Sequence, residues 1–168
     1  MKIREIAETK RKAKEWFASY TADYDMEDPK IALKAVHTYH VAELCQTIAE
    51  SLALNEVECM AAWLSGLLHD VGRFEQIRRF NTFSDADSID HALLSTEILF
   101  GTKEDASCGR IRQVILDPSW DIYLYKAIKY HSAYRLPPDL SELEKTYCQI
   151  LRDADKIDIF RVNLETPM

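Results

Sequence analysis

The chain has 168 residues, 47% hydrophobic and 29% charged, which is the balance of a soluble globular protein and excludes disordered and fibrous classes. With 28 acidic against 21 basic residues the formal charge is −7, which argues against broad electrostatic binding to a nucleic-acid duplex or an anionic membrane. This is one domain's length, 1–168, and the 4 glycines and 5 prolines supply too little turn chemistry for a sandwich or barrel, so an all-α, compact multi-helix fold is expected.

Residues 3–20 predict a weakly amphipathic, charged helix, peripheral to a core of about residues 28–162. An acidic loop, YTADYDMED, follows, and Asp28 with Pro29 reads as a cap and first helical position. The next helix places Leu33, His37, Val41, Leu44, Ile48 and Leu52 on one face. Asn55 with Glu58 marks a capped restart, and the most apolar stretch, CMAAWLSGLL, then runs into His69-Asp70, with Gly72 as a stop. Residues 73–87 lack helical periodicity and predict a loop of functional length. Asp87 caps a helix carrying His91, Leu94 and Ile98 to Gly101, and Thr102 with Asp105 opens another that ends before Asp117-Pro118. Ser119 opens a helix with Leu124, Ala127, Ile128 and His131. After the loop SAYRLPPDL, a Ser141/Glu144 capping box starts a long helix with Tyr147, Leu151, Asp155 and Asp158 on one side.

The cysteines at 45, 59, 108 and 148 stand apart without a Cys-x-x-Cys, as free thiols of a reduced compartment do. The basic N-terminal segment has no apolar stretch to serve as a secretory signal, and no apolar run approaches the ~20 residues of a membrane span. A cytoplasmic location is expected.

The informative polar residues lie on apolar faces. His37 sits between Leu33 and Val41, His69 and Asp70 end the most apolar helix, His91 precedes Leu94, His131 follows Ala127, and Asp155 follows Leu151. A buried carboxylate is costly unless paired or metal-bound, and few basic residues share these faces. Four of the 5 histidines falling in one such pattern point to a site for borderline divalent metal ions.

His37, then His69-Asp70, then Asp155 in ILRDADKID, with the flanks HTYHVAELCQTIAESL and LSGLLHDVGRFEQ, resembles the HD superfamily of metal-dependent phosphohydrolases over about residues 30–160. His91 in SIDHALLS and His131 in KYHSAYRLP fall where its two-metal members carry extra histidines. The resemblance implies one metal held by His37, His69, Asp70 and Asp155, with Asp70 bridging to a second held by His91 and His131. Either one or two ions, from Mn, Fe, Co, Ni, Zn or Mg, are compatible with it. It implies hydrolysis of a phosphomonoester or phosphodiester, in a nucleotide or similar small molecule, by a metal-bound hydroxide.

Within that reading Asp70, Arg73 and Asp158 are the expected catalytic residues, Asp158 either supporting the ligands from behind or acting as a general acid. Arg73 is the first candidate for phosphate contact, and Arg78, Arg79 and Arg135 are further ones. Phe74, Phe80, Asn81 and Phe83 are candidates to line a ring pocket, and His40 to pack beside His37. No phosphate-binding Gly-x-x-x-x-Gly-Lys, Gly-x-Gly-x-x-Gly, Gly-x-Ser-x-Gly or His-Glu-x-x-His motif is present. The Gly-Tyr-Pro tripeptide of the cyclic-dinucleotide phosphodiesterase branch is also absent, which argues against that substrate. Two rival readings stand: an HD-type di-iron oxygenase, which uses the same ligands, and a non-catalytic nucleotide-binding regulatory domain. The expected partner is a small phosphorylated substrate, with a homodimer left open.

Overall fold

The computed structural model describes residues 3–165, which are helical with no strand among them. Seven α-helices run in order: α1 (Ile3–Thr21), α2 (Pro29–Ser51), α3 (Glu56–Leu68), α4 (Val71–Phe80), α5 (His91–Phe100), α6 (Asp121–Tyr130) and α7 (Glu142–Glu165). None is long and apolar enough to cross a membrane.

The centre of the fold is α3, in which every residue from Cys59 to Leu68 is buried. Its start is set by a complete capping box, Asn55 accepting from Val57 and Glu58 while Glu58 reaches back to the Asn55 N–H. Helix α2 crosses it so closely that a Cβ on Gly66 would lie 2.6 Å from the Ala42 Cα, so only glycine fits there. Helix α2 begins as the sequence predicts, with the Asp28 side chain accepting from the Lys30 N–H and Pro29 in the first turn. Helix α7 packs on α2, α3 and α6, and its first turn carries the Ser141/Glu144 box.

Several expectations need correction. Helix α1 is not peripheral: Ala13 and Phe17 are fully buried, and Phe17 and Tyr20 pack edge-on to Phe74 of α4. It is strongly rather than weakly amphipathic: its many charged residues lower its mean hydropathy, but they stay on one side and leave an apolar face to bury. Residues 71–80 are a helix, not the start of a loop, and α4 buries Val71, Phe74 and Ile77 at three-residue spacing. Gly72 does not stop a helix; it lets α4 approach α5, since a Cβ there would lie 2.5 Å from the His91 carbonyl oxygen. The stop is Asn81, left-handed at φ 52°, whose N–H returns to the Ile77 carbonyl.

The segment after Gly101 forms no α-helix. It makes 3-10 turns at Ala106–Cys108, Ile111–Gln113 and Pro118–Trp120. Gly109 packs against the backbone of Phe100 and Gly101, and the Arg110 N–H bonds the Ile98 carbonyl, which pulls the chain back across the end of α5. Finally, α5 is capped by Asp90 rather than Asp87, and α6 follows a turn capped by Asp117 rather than Ser119. All four cysteines are free, and only Cys108 is exposed.

Candidate metal centre

Four helices and one sharp junction bring the polar core residues together. His37 comes from the middle of α2, His91 is the first residue of α5, His131 follows the last residue of α6, and Asp155 projects from α7. His69 and Asp70 are the two residues between α3 and α4. Asp70 stands at the N-terminus of α4 yet makes no capping hydrogen bond, so its carboxylate is turned inward.

The two oxygens of Asp70 face two different groups of ligand atoms. Its Oδ2 lies 3.4 Å from His69 Nε2 and 3.8 Å from His37 Nε2, and Asp155 Oδ1 lies 3.4 Å and 2.9 Å from the same two nitrogens. Its Oδ1 lies 3.5 Å from His91 Nε2 and 3.4 Å from His131 Nε2. The groups His37–His69–Asp70 and Asp70–His91–His131 are both fully buried.

The outward ring nitrogens explain this orientation. His69 and His131 donate from Nδ1 to the carbonyls of Gly66 and Ile128 at 2.7 Å and 2.6 Å. His37 donates to Asp158 at 2.7 Å and His91 to Asp85 at 2.6 Å. With Nδ1 protonated, each imidazole presents an Nε2 lone pair to the centre.

Two observations test whether a metal suits these residues. His69 Nε2 and Asp70 Oδ1 are buried without a hydrogen-bond partner, which is costly unless a cation meets them. His91 and His131 also point Nε2 at each other across 3.0 Å, and two lone pairs at that distance repel unless a positive charge lies beside them. The residues therefore fit divalent ions.

The electrostatics agree. Burial disfavours a charged His69, but Asp70 and Asp155 override it and raise its pKa to about 10. The pull on a proton there is a pull on any cation. Burial also opposes ionised Asp70 and Asp155, yet both stay well below the usual carboxylate range, Asp70 through His69 and Lys34 and Asp155 through His37 and His69. His91 is lowered to about 4, mainly by burial, and so stays neutral, as a ligand must.

A cavity of about 260 Å³ opens onto the centre. Of the predicted phosphate contacts only Arg73 lines it. Its guanidinium is anchored by Asp85, Gln76 and the Phe83 carbonyl, and its Nε, without a hydrogen bond, lies 4.0 Å from Asp70 Oδ1.

Arg78 and Arg79 are spent on Glu75 and line a different depression beside Tyr24. Arg135 is exposed against the Tyr134 ring and does not line the cavity. The cations beside Arg73 are instead Lys34, Arg152 and Lys156. Lys34 stands one turn before His37, and Arg152 and Lys156 flank Asp155, so helical spacing from the ligands was the available signal.

Asp158 does not line the cavity. It lies behind His37, 2% exposed, bonded also to His40 and Arg161. Burial pushes its pKa up, but Arg161 and His37 outweigh this and hold it ionised. Of the proposed ring-pocket residues, Phe74 is core, Phe80 is exposed, and Asn81 accepts from Lys30. Phe83 lies under Lys34 and Arg73.

A family model described as HD domain matches residues 35–159, which contain all six of these histidine and aspartate residues. Neither the curated proteins nor the solved structures compared with the chain show a match.

Proposed function

Because the chain belongs to the HD-domain family, a superfamily of metal-dependent phosphohydrolases, we propose that it hydrolyses a phosphate ester of a small molecule at the centre built on Asp70. The observation that carries this reading is the divided carboxylate of Asp70, one oxygen facing His37 and His69 and the other facing His91 and His131. Under it His37, His69, Asp70 and Asp155 hold one divalent ion and Asp70, His91 and His131 a second. Such ions lower the pKa of a bound water and offset charge developing on a phosphoryl group.

The protein's own residues supply the rest. Lys34, Arg73, Arg152 and Lys156 surround the cavity and would hold the phosphate oxygens, in a chain otherwise acidic. Arg73 has the best-defined position, because Asp85, Gln76 and the Phe83 carbonyl fix its guanidinium. Asp85 and Asp158 position His91 and His37 from behind and keep their Nε2 atoms unprotonated. In the reaction the oxygen of water bonds to phosphorus and the bond from phosphorus to the alcohol oxygen breaks. The alcohol leaves with a proton.

Elemental analysis of protein purified without chelators, beside phosphate release from a panel of phosphate esters with and without oxygen, tests this reading. Transition metal with phosphate release in both atmospheres is expected. Iron with oxygen uptake and no phosphate release would move the centre to the oxygenase class, and nucleotide binding without turnover over several metals would make it regulatory.

A further inference from the structure

A depression of about 360 Å³ lies between α1, α4, α5 and the segment after Gly101, and it shares no lining residue with the metal cavity. Tyr20 and Glu75, both buried, form its floor. Arg78, Arg79 and Arg110 line it against the carboxylates of Glu75 and Glu97. Three positive charges against two negative ones leave a net charge of +1, in a chain whose total is −7.

Most of the hydrogen-bonding capacity of these arginines is unused. Glu75 takes Nη2 of Arg78 and Nε of Arg79, and their other guanidinium nitrogens bond nothing among the described residues. Arg110 has no carboxylate partner among the described residues, and its guanidinium lies over the Tyr20 ring, 5.7 Å from the centroid. That of Arg78 lies over the Tyr24 ring at 4.8 Å. A guanidinium over a ring keeps its in-plane N–H donors for an oxyanion.

The two rings are fixed in turn. Tyr20 donates to the Val71 carbonyl at 2.8 Å, and the Tyr24 hydroxyl lies 3.0 Å from both the Tyr20 hydroxyl and Glu75. Thr102 also lines the depression; its hydroxyl accepts from the Asp105 N–H and has its own proton left to donate.

The donors select the ligand. A carboxylate brings a single charge and two coplanar oxygens, which one guanidinium satisfies. A phosphate group brings close to two charges and a tetrahedron of oxygens, enough to meet three guanidiniums that arrive from different elements.

We propose that this depression binds a phosphate group, free or as the monoester of a small molecule, through Arg78, Arg79 and Arg110. It is a separate site from the metal centre and does not depend on the hydrolase reading, since none of these arginines lines the metal cavity. It also gives a role to Arg78 and Arg79, which the sequence marks as phosphate contacts and the metal cavity does not use.

Titration of the full chain, loaded with zinc or magnesium, tests the site by amide NMR shifts. The probes are inorganic phosphate and a short alkyl phosphonate, which stands in for a monoester without a P–O–C bond to hydrolyse. Saturable shifts at Tyr24, Thr102, Cys108 and Arg110 are expected, apart from any at the metal cavity. Arg110→Ala weakens this binding about tenfold or more, the scale of one lost charge-assisted hydrogen bond. Glu97→Gln strengthens it by removing a like charge, a gain that a damaged fold would not give. Arg135→Ala, outside the depression, leaves it unchanged. Tighter binding of the phosphonate assigns the site to a monoester, and equal or weaker binding assigns it to inorganic phosphate. Shifts confined to the metal cavity, acetate binding as tightly as phosphate, or unchanged affinity in Arg110→Ala overturns the proposal.

Discussion

Each imidazole of the centre is aimed by the acceptor behind it, and the four acceptors are of two kinds. His69 and His131 lean on backbone carbonyls, which no substitution removes, whereas His37 and His91 lean on Asp158 and Asp85, which a single change removes. Asp85→Asn is therefore expected to weaken metal binding at the His91–His131 side by about 10–100-fold while sparing the His37–His69 side, as metal titration followed by elemental analysis would show. Asp158→Asn should do the opposite. Equal loss of both ions in either variant would mean that the two sites are not independently held. Asp70→Ala should abolish binding of both ions with the helical content retained, and full metal content in that variant would remove Asp70 from the ligand set.

Glu75 is a charge outside this centre with a pH consequence. Burial raises its pKa, but Arg79, Tyr24 and Arg78 outweigh this and lower it below the ordinary 4.5. A carboxyl lowered by folding stabilises the protein above its unfolded pKa and loses that contribution as pH falls through the folded value. Glu75→Gln should reduce stability at neutral pH and flatten the decline below about pH 4.5 in acid unfolding curves.

At the level of elements, close helix approaches set where the ligands stand. Gly66 lets α2 and α3 cross, and Gly72 lets α4 reach the start of α5. Gly66→Ala should cost about 1–3 kcal/mol in denaturant unfolding, because the new Cβ meets the Ala42 backbone and not a movable side chain. Gly72→Ala should add a functional loss, since the Cβ presses on the His91 carbonyl and displaces that ligand. Asn55→Ala is the contrasting case. Loss of the α3 capping box should cost about 1 kcal/mol and leave metal stoichiometry unchanged, because the cap lies at the opposite end of α3 from His69.

Over the whole molecule, the centre joins α2, the α3–α4 junction, α5, α6 and α7, while α1 contributes to the core alone. Metal bound by the folded state and not by the unfolded chain therefore stabilises the entire helical assembly. At a hundredfold excess over the dissociation constant the gain is about 2.7 kcal/mol. Chelation should lower the melting temperature by several degrees with little loss of helical circular dichroism at 25 °C. An unchanged melting temperature would mean that the imidazoles and carboxylates satisfy one another without an ion.

The all-α class, the central helix with its Asn55 cap, and the six converging histidine and aspartate residues were legible in the linear chain. Each is a local pattern, and a histidine or aspartate on an apolar helical face carries a desolvation cost whatever the rest of the fold does. Helix α4 was not legible, because Gly72 reads as a terminator until α5 is seen pressed against it. The same holds for 102–117, where the glycine contacts across the end of α5 override the capping signal. Helical periodicity put Asp158 on the same side as Asp155, yet a face of a helix is not a partner. Only packing decided that Asp155 meets the centre while Asp158 passes behind His37. Lys34, Arg73, Asp85 and Arg152 likewise acquire their places from contacts between residues distant in the sequence. The buried histidines and aspartates of the centre were marked by what burial costs each of them, and their supports and the surrounding cations were decided by which helices meet.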